Sequence, residues 1–435
     1  MALLNGLFSK KKPRAVLMGL DGVPYTLLQK LVARGVTPNL GRLAEGGGKR
    51  FQQMDASLPE ISSVSWSSFM TGVNPARHGI YGFMDLKPGT YQMFFPSYPH
   101  LKAPPLWDDL GKRGKRSVVL NLPGTYPARA HAGVLVSGFV AIDLKKAVHP
   151  PAALPVLEKM GYRIDVDTAK AQDADHLYRD LDETLAARER AFDHFWKDED
   201  WDLFVAVITG TDRLQHFQWD AVEDEAHPNH ARAMEFYRKA DAVVGRLADR
   251  LGASDALYVM SDHGFCGIRS EVYLNRFLVE KGYLKWEKDP PESYADLSGE
   301  SRAFVLDPSR VYLHRKGRYP KGTVEEAQVP ALREELKALF LSLEHKGRPV
   351  IREVFFPEAI YEGPEFDKAP DLVLLTNDGL DLKGNIRKEA VFGRTHFTGM
   401  HTRHDAFLIS SRDLPEKRPH IQDVHGLLRS ALGVE

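Results

Sequence analysis

Residues 256–264 read ALYVMSDHG, an apolar run of strand length stopped abruptly by Ser261, Asp262 and His263. A core strand has little structural reason to end in a titratable pair, so the run predicts a buried strand and the pair marks chemistry at its end. The arrangement recurs along the chain. AVLMGLDG (15–22) ends in Asp21, VAVITGTDRLQH (205–216) runs into Asp212 and His216, and TGMH (398–401) brings His401 just ahead of DAFLIS (405–410). Open α/β sheets place ligands beyond the carboxyl ends of their strands, so Asp and His residues from distant segments can converge on one crevice. Carboxylate oxygens together with imidazole nitrogens suit divalent zinc or manganese.

Outward from these strand ends, β-rich runs at 14–20, 117–121, 133–137, 202–209, 256–261, 371–375 and 405–410 alternate with helix-patterned stretches near 37, over 172–196 and over 227–251. The alternation predicts an α/β fold, a mostly parallel central sheet flanked by helices on both faces. The pattern changes between Tyr273 and Ala369. Loops such as KDPPESY and HRKGRYPKG surround a helix near 328–344, and no ligand-type motif appears there. The expected organisation is a tail at 1–12, a catalytic core at 13–272, an insertion or cap at 273–369, and the rest of the core at 370–435.

Composition bounds the function class. The 435 residues are 43% hydrophobic and 27% charged with a formal net charge of -1, the profile of a globular chain without the basic excess of a nucleic-acid binder. A single cysteine, Cys266, excludes an intrachain disulfide framework and fits a reducing compartment. The N-terminus, MALLNGLFSKKKPR, places its apolar part ahead of the lysines, the reverse of a secretion signal, although Leu3, Leu4, Leu7 and Phe8 form a weak amphipathic pattern. No apolar run approaches the roughly 20 residues that span a bilayer. A cytoplasmic protein is the expectation; nothing in the chain sets an oligomeric state.

Single residues have ordinary readings too. Asp21 before Gly22 is a common turn pair, and Asp212 and His216 at i and i+4 share a helix face as many surface pairs do. The stretch SLPEISSVSWSSFMTGVNPARHGIYGF (57–83) is crowded with hydroxyls, and a serine before an apolar helix is most often an N-cap. The functional reading is that a hydroxyl at a helix N-terminus, where phosphate is also favoured, becomes a nucleophile once a divalent cation lowers its pKa. Arg213 and Arg394 are candidate sources of positive charge, with surface positions the commoner case.

The set as a whole resembles the alkaline phosphatase superfamily: a strand-ending Asp, a hydroxyl before a helix running into TGVNPARHGI, a D-x-x-x-H, a strand ending in SDHG and a late G-x-H. Within it the chain looks like the type I phosphodiesterase/nucleotide pyrophosphatase branch, and closer still like a bacterial group of predicted phosphohydrolases or phosphomutases. The resemblance implies an alkaline-phosphatase-like core with two divalent ions, zinc first and manganese second. Asp21, Asp262 and His263 would hold one ion with the nucleophile, and Asp212, His216 and His401 the other. The family's nucleophile stands nine residues before the Thr of TG, which gives Ser62, with Ser63 and Ser65 as alternatives. His396 and His404 compete with His401 for the last imidazole. The implied activity is hydrolysis of a phosphodiester or phosphomonoester through a phosphoseryl intermediate; a phosphomutase or phosphotransferase on the same core, or an inactive binding protein, are the alternatives. Two departures stand out. Nucleotide pyrophosphatases carry an Asn where HGIYGF has Phe83, which puts nucleotide preference in doubt, and the residues after Ser62 lack the sulfatase C/S-x-P-x-R pattern.

Overall fold

The computed structural model describes residues 13–434, so the amphipathic pattern at Leu3, Leu4, Leu7 and Phe8 lies outside the described residues. An eight-stranded sheet forms the centre, in the order Phe51–Met54, Ala406–Ser410, Ala256–Met260, Ala15–Leu20, Leu203–Ile208, Ser117–Leu122, Gly133–Ser137, Val148–His149. The five strands from Ala256–Met260 to Gly133–Ser137 are parallel, and antiparallel strands close both edges. Every residue of Ala15–Leu20 and Leu203–Ile208 is buried, as the unbroken apolar runs demand of strands covered on both faces.

Two hydrophobic layers supply that cover. On one face the helices Ala174–Asp198, Gly210–Glu223 and His230–Ala248 pack Phe192, Leu214 and Val244 against Val16, Met18 and Phe204. On the other, Ser62–Thr71 and Asp423–Ala431 pack Trp66, Phe69 and Leu428 against Leu17, Val205 and Tyr258. No helix among the described residues is long and apolar enough to cross a membrane.

A second layer stands over the carboxyl edge. Ala303–Leu306, Arg310–Leu313, Leu372–Thr376 and Ile351–Phe355 form an antiparallel sheet packed on the helix Val329–Leu341, with a core of its own that includes Phe304, Leu336, Phe340 and Leu374. The run at 371–375 thus forms a strand, but in this second sheet rather than in the parallel one, and the sheet crosses the boundary expected at 369/370. An apolar run specifies burial, not which sheet buries it. A three-stranded sheet, Leu380–Lys383, Ser270–Tyr273 and Phe392–Gly393, ties this layer to the chain leaving His263.

Candidate active site

Strands Leu203–Ile208, Ala15–Leu20 and Ala256–Met260 are neighbours in the parallel sheet, in register, with Leu20 beside Ile208 and Gly19 beside Met260. Their carboxyl ends therefore release Asp21, the turn into Asp212, and Asp262–His263 on one edge of the sheet. Asp212 and His216 sit in the first two turns of the helix Gly210–Glu223 and face the same way. That helix breaks at Gln218 (φ -138°, ψ 31°), and Thr398 fills the break: its N–H donates to the His216 carbonyl (2.7 Å) and its Oγ1 accepts from the Trp219 N–H (2.7 Å). The next residues, Gly399–Thr402, pair antiparallel with Gly264–Gly267, which sets His401 opposite Phe265 and two residues beyond His263. The last imidazole reaches the site by this ribbon.

Ligand-type atoms of Asp212, His216 and His401 lie within 4.8 Å of one another, as do those of Asp21, Asp212 and His263. Asp212 belongs to both triads. Asp262 stands next to the second: its Oδ1 accepts from the Gly22 N–H (3.1 Å), and its Oδ2, 3.3 Å from His263 Nε2, is buried without a hydrogen-bond partner. His404 instead pairs with Asp55 (3.0 Å) and His396 stacks on Phe217, so His401 is the member of its segment in the cluster.

Ser62 opens the helix Ser62–Thr71. Its Oγ lies 3.1 Å from His263 Nε2 and 3.4 Å from Asp21 Oδ1. The helix N-cap is Ile61, with no side-chain cap, so none of the three serines has the N-cap role. Ser65 is fully buried, whereas Ser63 lines the same cavity as Ser62. Trp66, one turn on, donates its indole N–H to Asp21 Oδ2 (3.2 Å) while its ring lies against Gly19, where an added Cβ would come within 2.7 Å of the ring. Gly19 is thus a close-approach glycine that lets helix and strand meet with Asp21 oriented between them. Neither Trp66 nor Thr398 stands out in the sequence, since orienting residues carry no spacing signature.

The electrostatics suit a cation. All three imidazoles present Nδ1 to a backbone carbonyl: His216 to Gly399 (3.1 Å), His263 to Gly264 (3.0 Å), His401 to Glu60 (3.1 Å). A carbonyl only accepts, so Nδ1 carries the proton and each Nε2 turns a lone pair to the site, the arrangement of metal-binding histidines. Burial pushes each of them down to about 4, leaving neutral imidazoles at pH 7. His216 Nε2 and His401 Nε2 are then 3.0 Å apart, lone pair against lone pair, a contact that needs a positive species between them. Burial raises the Asp21 carboxyl, reinforced by Asp262 and Asp212, and burial pushes Asp262 up to about 7. Burial would raise Asp212 as well, but the Arg213 guanidinium, 2.9 Å away, helps hold this carboxylate ionised, and protonation of either imidazole would only lower it further. These donors fit divalent ions: neutral imidazoles, crowded carboxylates and an orphaned carboxylate oxygen.

A cavity of about 340 Å³ opens over these residues, walled by Phe83, Phe139 and Phe397 from the core and by Asp307, Pro308, Asp381 and Lys383 from the second layer. Phe83 and Phe139 stack at 5.5 Å with planes 3° apart. Arg213 lies under this wall, bound to Asp165 (2.7 and 3.0 Å) and Asp212 (2.9 Å); Arg394 is half exposed, with an ion-pair contact to Asp220 at 3.9 Å. A larger cavity of about 710 Å³ shares Glu60, Met400 and His401 but does not reach Ser62.

The fold is found in characterised enzymes. Phosphonoacetate hydrolase from Sinorhizobium meliloti 1021 superposes with a TM-score of 0.64 at 20% identity over 97% of this chain and 96% of that one. Murine ectonucleotide pyrophosphatase/phosphodiesterase 5 does so at 0.57 and 13% identity over 98% and 96%, and its human counterpart at 0.57 and 14% over the same shares. A comparison with curated proteins found no match. The family model for type I phosphodiesterase/nucleotide pyrophosphatase matches residues 15–404, which includes every strand end described above. The chain therefore belongs to the type I phosphodiesterase/nucleotide pyrophosphatase family, a group of phosphoester hydrolases.

Proposed function

We propose that the protein is a phosphodiesterase that transfers the phosphoryl group to Ser62 and then to water, with two divalent ions, zinc before manganese. The observation that carries this reading is Ser62 Oγ, 3.1 Å from His263 Nε2 and 3.4 Å from Asp21 Oδ1 at an uncapped helix N-terminus. Asp212, His216 and His401 would hold one ion; Asp21, Asp262 and His263, with Ser62, the other. When bound, the ions supply charge neutralisation at the phosphoryl oxygens and at the nucleophile.

The chain's own groups do the rest. Ser62 Oγ attacks phosphorus in line, one ester bond breaks, and the leaving alcohol departs with the proton that Ser62 gives up. The phosphoserine formed is still esterified to the other alcohol, and water releases that group as a phosphomonoester. The first-turn N–H groups of Ser62–Thr71 favour the negative charge on the nonbridging oxygens. Trp66 fixes Asp21 beside the hydroxyl, and Arg213 holds Asp212 ionised. Phe83, Phe139 and Phe397 keep water from one side of the cavity and offer an apolar wall to the organic arm of the ester. The second layer would act as a cap on the core, which suits a small phosphorylated substrate, and a reduced Cys266 fits a cytoplasmic setting.

The test is Ser62→Ala. It should keep fold and metal content, since the charged ligands remain, yet lose most hydrolysis of bis-p-nitrophenyl phosphate and any trapped phosphoenzyme. Ser63→Ala and Ser65→Ala serve as controls. Full activity of Ser62→Ala with a dead Ser63→Ala or Ser65→Ala would move the nucleophile; three active variants would exclude a serine nucleophile from this segment.

A further inference from the structure

The cavity above the ion cluster contains two cationic side chains among the described residues, Arg213 and Lys383. They differ in how far their charge is already spent. Arg213 makes three contacts at 3.0 Å or less to Asp165 and Asp212, one from each of its nitrogens, so its charge is already shared between two carboxylates. Lys383 has one ion-pair partner among the described residues, Asp381 at 2.7 Å, which leaves ammonium hydrogens for another acceptor, and its side chain, 32% exposed, lines the cavity.

Its position is fixed by backbone. Lys383 ends the strand Leu380–Lys383, which pairs in parallel with Ser270–Tyr273, the segment that follows Asp262–His263 by a few residues, and Tyr273 is its register partner. Lys383 lines the same cavity as Ser62, His216 and His401. Burial opposes the charge on Lys383, but Asp381 and Asp307 outweigh it, so the ammonium is retained at neutral pH.

We propose that Lys383 contacts a nonbridging oxygen of the substrate phosphoryl group, and that Asp381, by partly neutralising it, tunes the site to the single charge of a phosphodiester over the double charge of a monoester. The proposal rests on the phosphodiesterase reading above. A lysine shared with a carboxylate offers a fraction of a positive charge, enough for a monoanion; a second negative charge on the substrate would face Asp381 and Asp307 instead. Lys383 and Asp381 are then specificity-determining residues contributed by the second layer.

The experiment uses the metal-loaded full chain with Lys383→Met, Lys383→Arg and Asp381→Asn. Calorimetric titration of inorganic phosphate should show about tenfold weaker binding to Lys383→Met at unchanged metal content, with Lys383→Arg recovering most of it. Steady-state kinetics should show Asp381→Asn raising the kcat/KM ratio of p-nitrophenyl phosphate to bis-p-nitrophenyl phosphate by about tenfold. Wild-type phosphate affinity in Lys383→Met, or an unchanged ester ratio in Asp381→Asn, would overturn the proposal, and so would loss of metal from Lys383→Met, since the lysine would then support the ions. If the wild type hydrolysed neither ester, the phosphodiesterase reading would fall, while the phosphate titration would still judge Lys383.

Discussion

The second layer and the edge of the parallel sheet bury comparable polar machinery and treat it in opposite ways. In the second layer, Asn275 donates to the carbonyls of Val305 (2.9 Å) and Gly384 (2.7 Å) and accepts from the Val305 N–H (2.8 Å), and Arg310, fully buried, donates to Tyr312 Oη, the Asp307 carbonyl and the Met84 carbonyl. At the sheet edge, three imidazoles aim lone pairs into one space, and the only buried carboxylate oxygens without a hydrogen-bond partner among the described residues are Glu60 Oε2 and Asp262 Oδ2. Buried polar groups are normally paired, because an unpaired one costs about 1–3 kcal/mol. The networks around Asn275 and Arg310 are therefore complete as protein, and the sheet edge is complete only with something added.

Four substitutions and one titration test that contrast. The largest effect should come from Asp212→Asn, because Asp212 is common to both triads while Asp262 lies beside one. Turnover should fall by several orders of magnitude with occupancy lost chiefly at the ion held with His216 and His401, whereas Asp262→Asn should empty chiefly the ion beside Ser62; metal analysis together with kcat reads this, and loss from the same site in both variants would contradict it. Next, Trp66→Phe removes the indole N–H that orients Asp21 and should cost about 10–100-fold in metal affinity or kcat with little loss of stability. An unchanged kcat and affinity would make Trp66 a packing residue only.

Asn275→Ala probes the other side of the comparison. It should destabilise the chain by about 1–3 kcal/mol, read from denaturant midpoints, with activity per folded molecule unchanged. A lost activity at full stability would mean the second layer is not complete on its own. The smallest effect is a proton count. Without metal, Asp262 holds its proton up to about pH 7, so an ion must displace it: affinity should rise with pH between about 5 and 7, with protons released in calorimetry run in two buffers. Affinity that falls or stays flat over that range would contradict the crowding of carboxylates described here.

Much of this edge was legible from residue order alone, and the reason is physical. Asp21, Asp212 and Asp262–His263 each interrupt an apolar run, and a parallel sheet brings such interruptions to one side without further information. His401 was less legible, because His396, His401 and His404 share one segment and only the ribbon pairing with Gly264–Gly267 separates them. The strand at 372–376 was legible as a strand but not as a member of the second sheet, since its partners 310–313 and 351–355 are chosen by long-range pairing. The orienting contacts of Trp66, Thr398 and Gly19, and the cavity position of Lys383, depend on approach of distant segments and leave no periodic trace.

The central claim is that the sheet edge is a two-ion site. Diffraction from crystals grown with zinc, recorded on both sides of the zinc absorption edge, tests it most directly. Two anomalous peaks are expected, one among Asp212, His216 and His401 and one among Asp21, Asp262 and His263 beside Ser62. No peak at either position, in protein that elemental analysis finds metal-free and that neither zinc nor manganese activates, would contradict it.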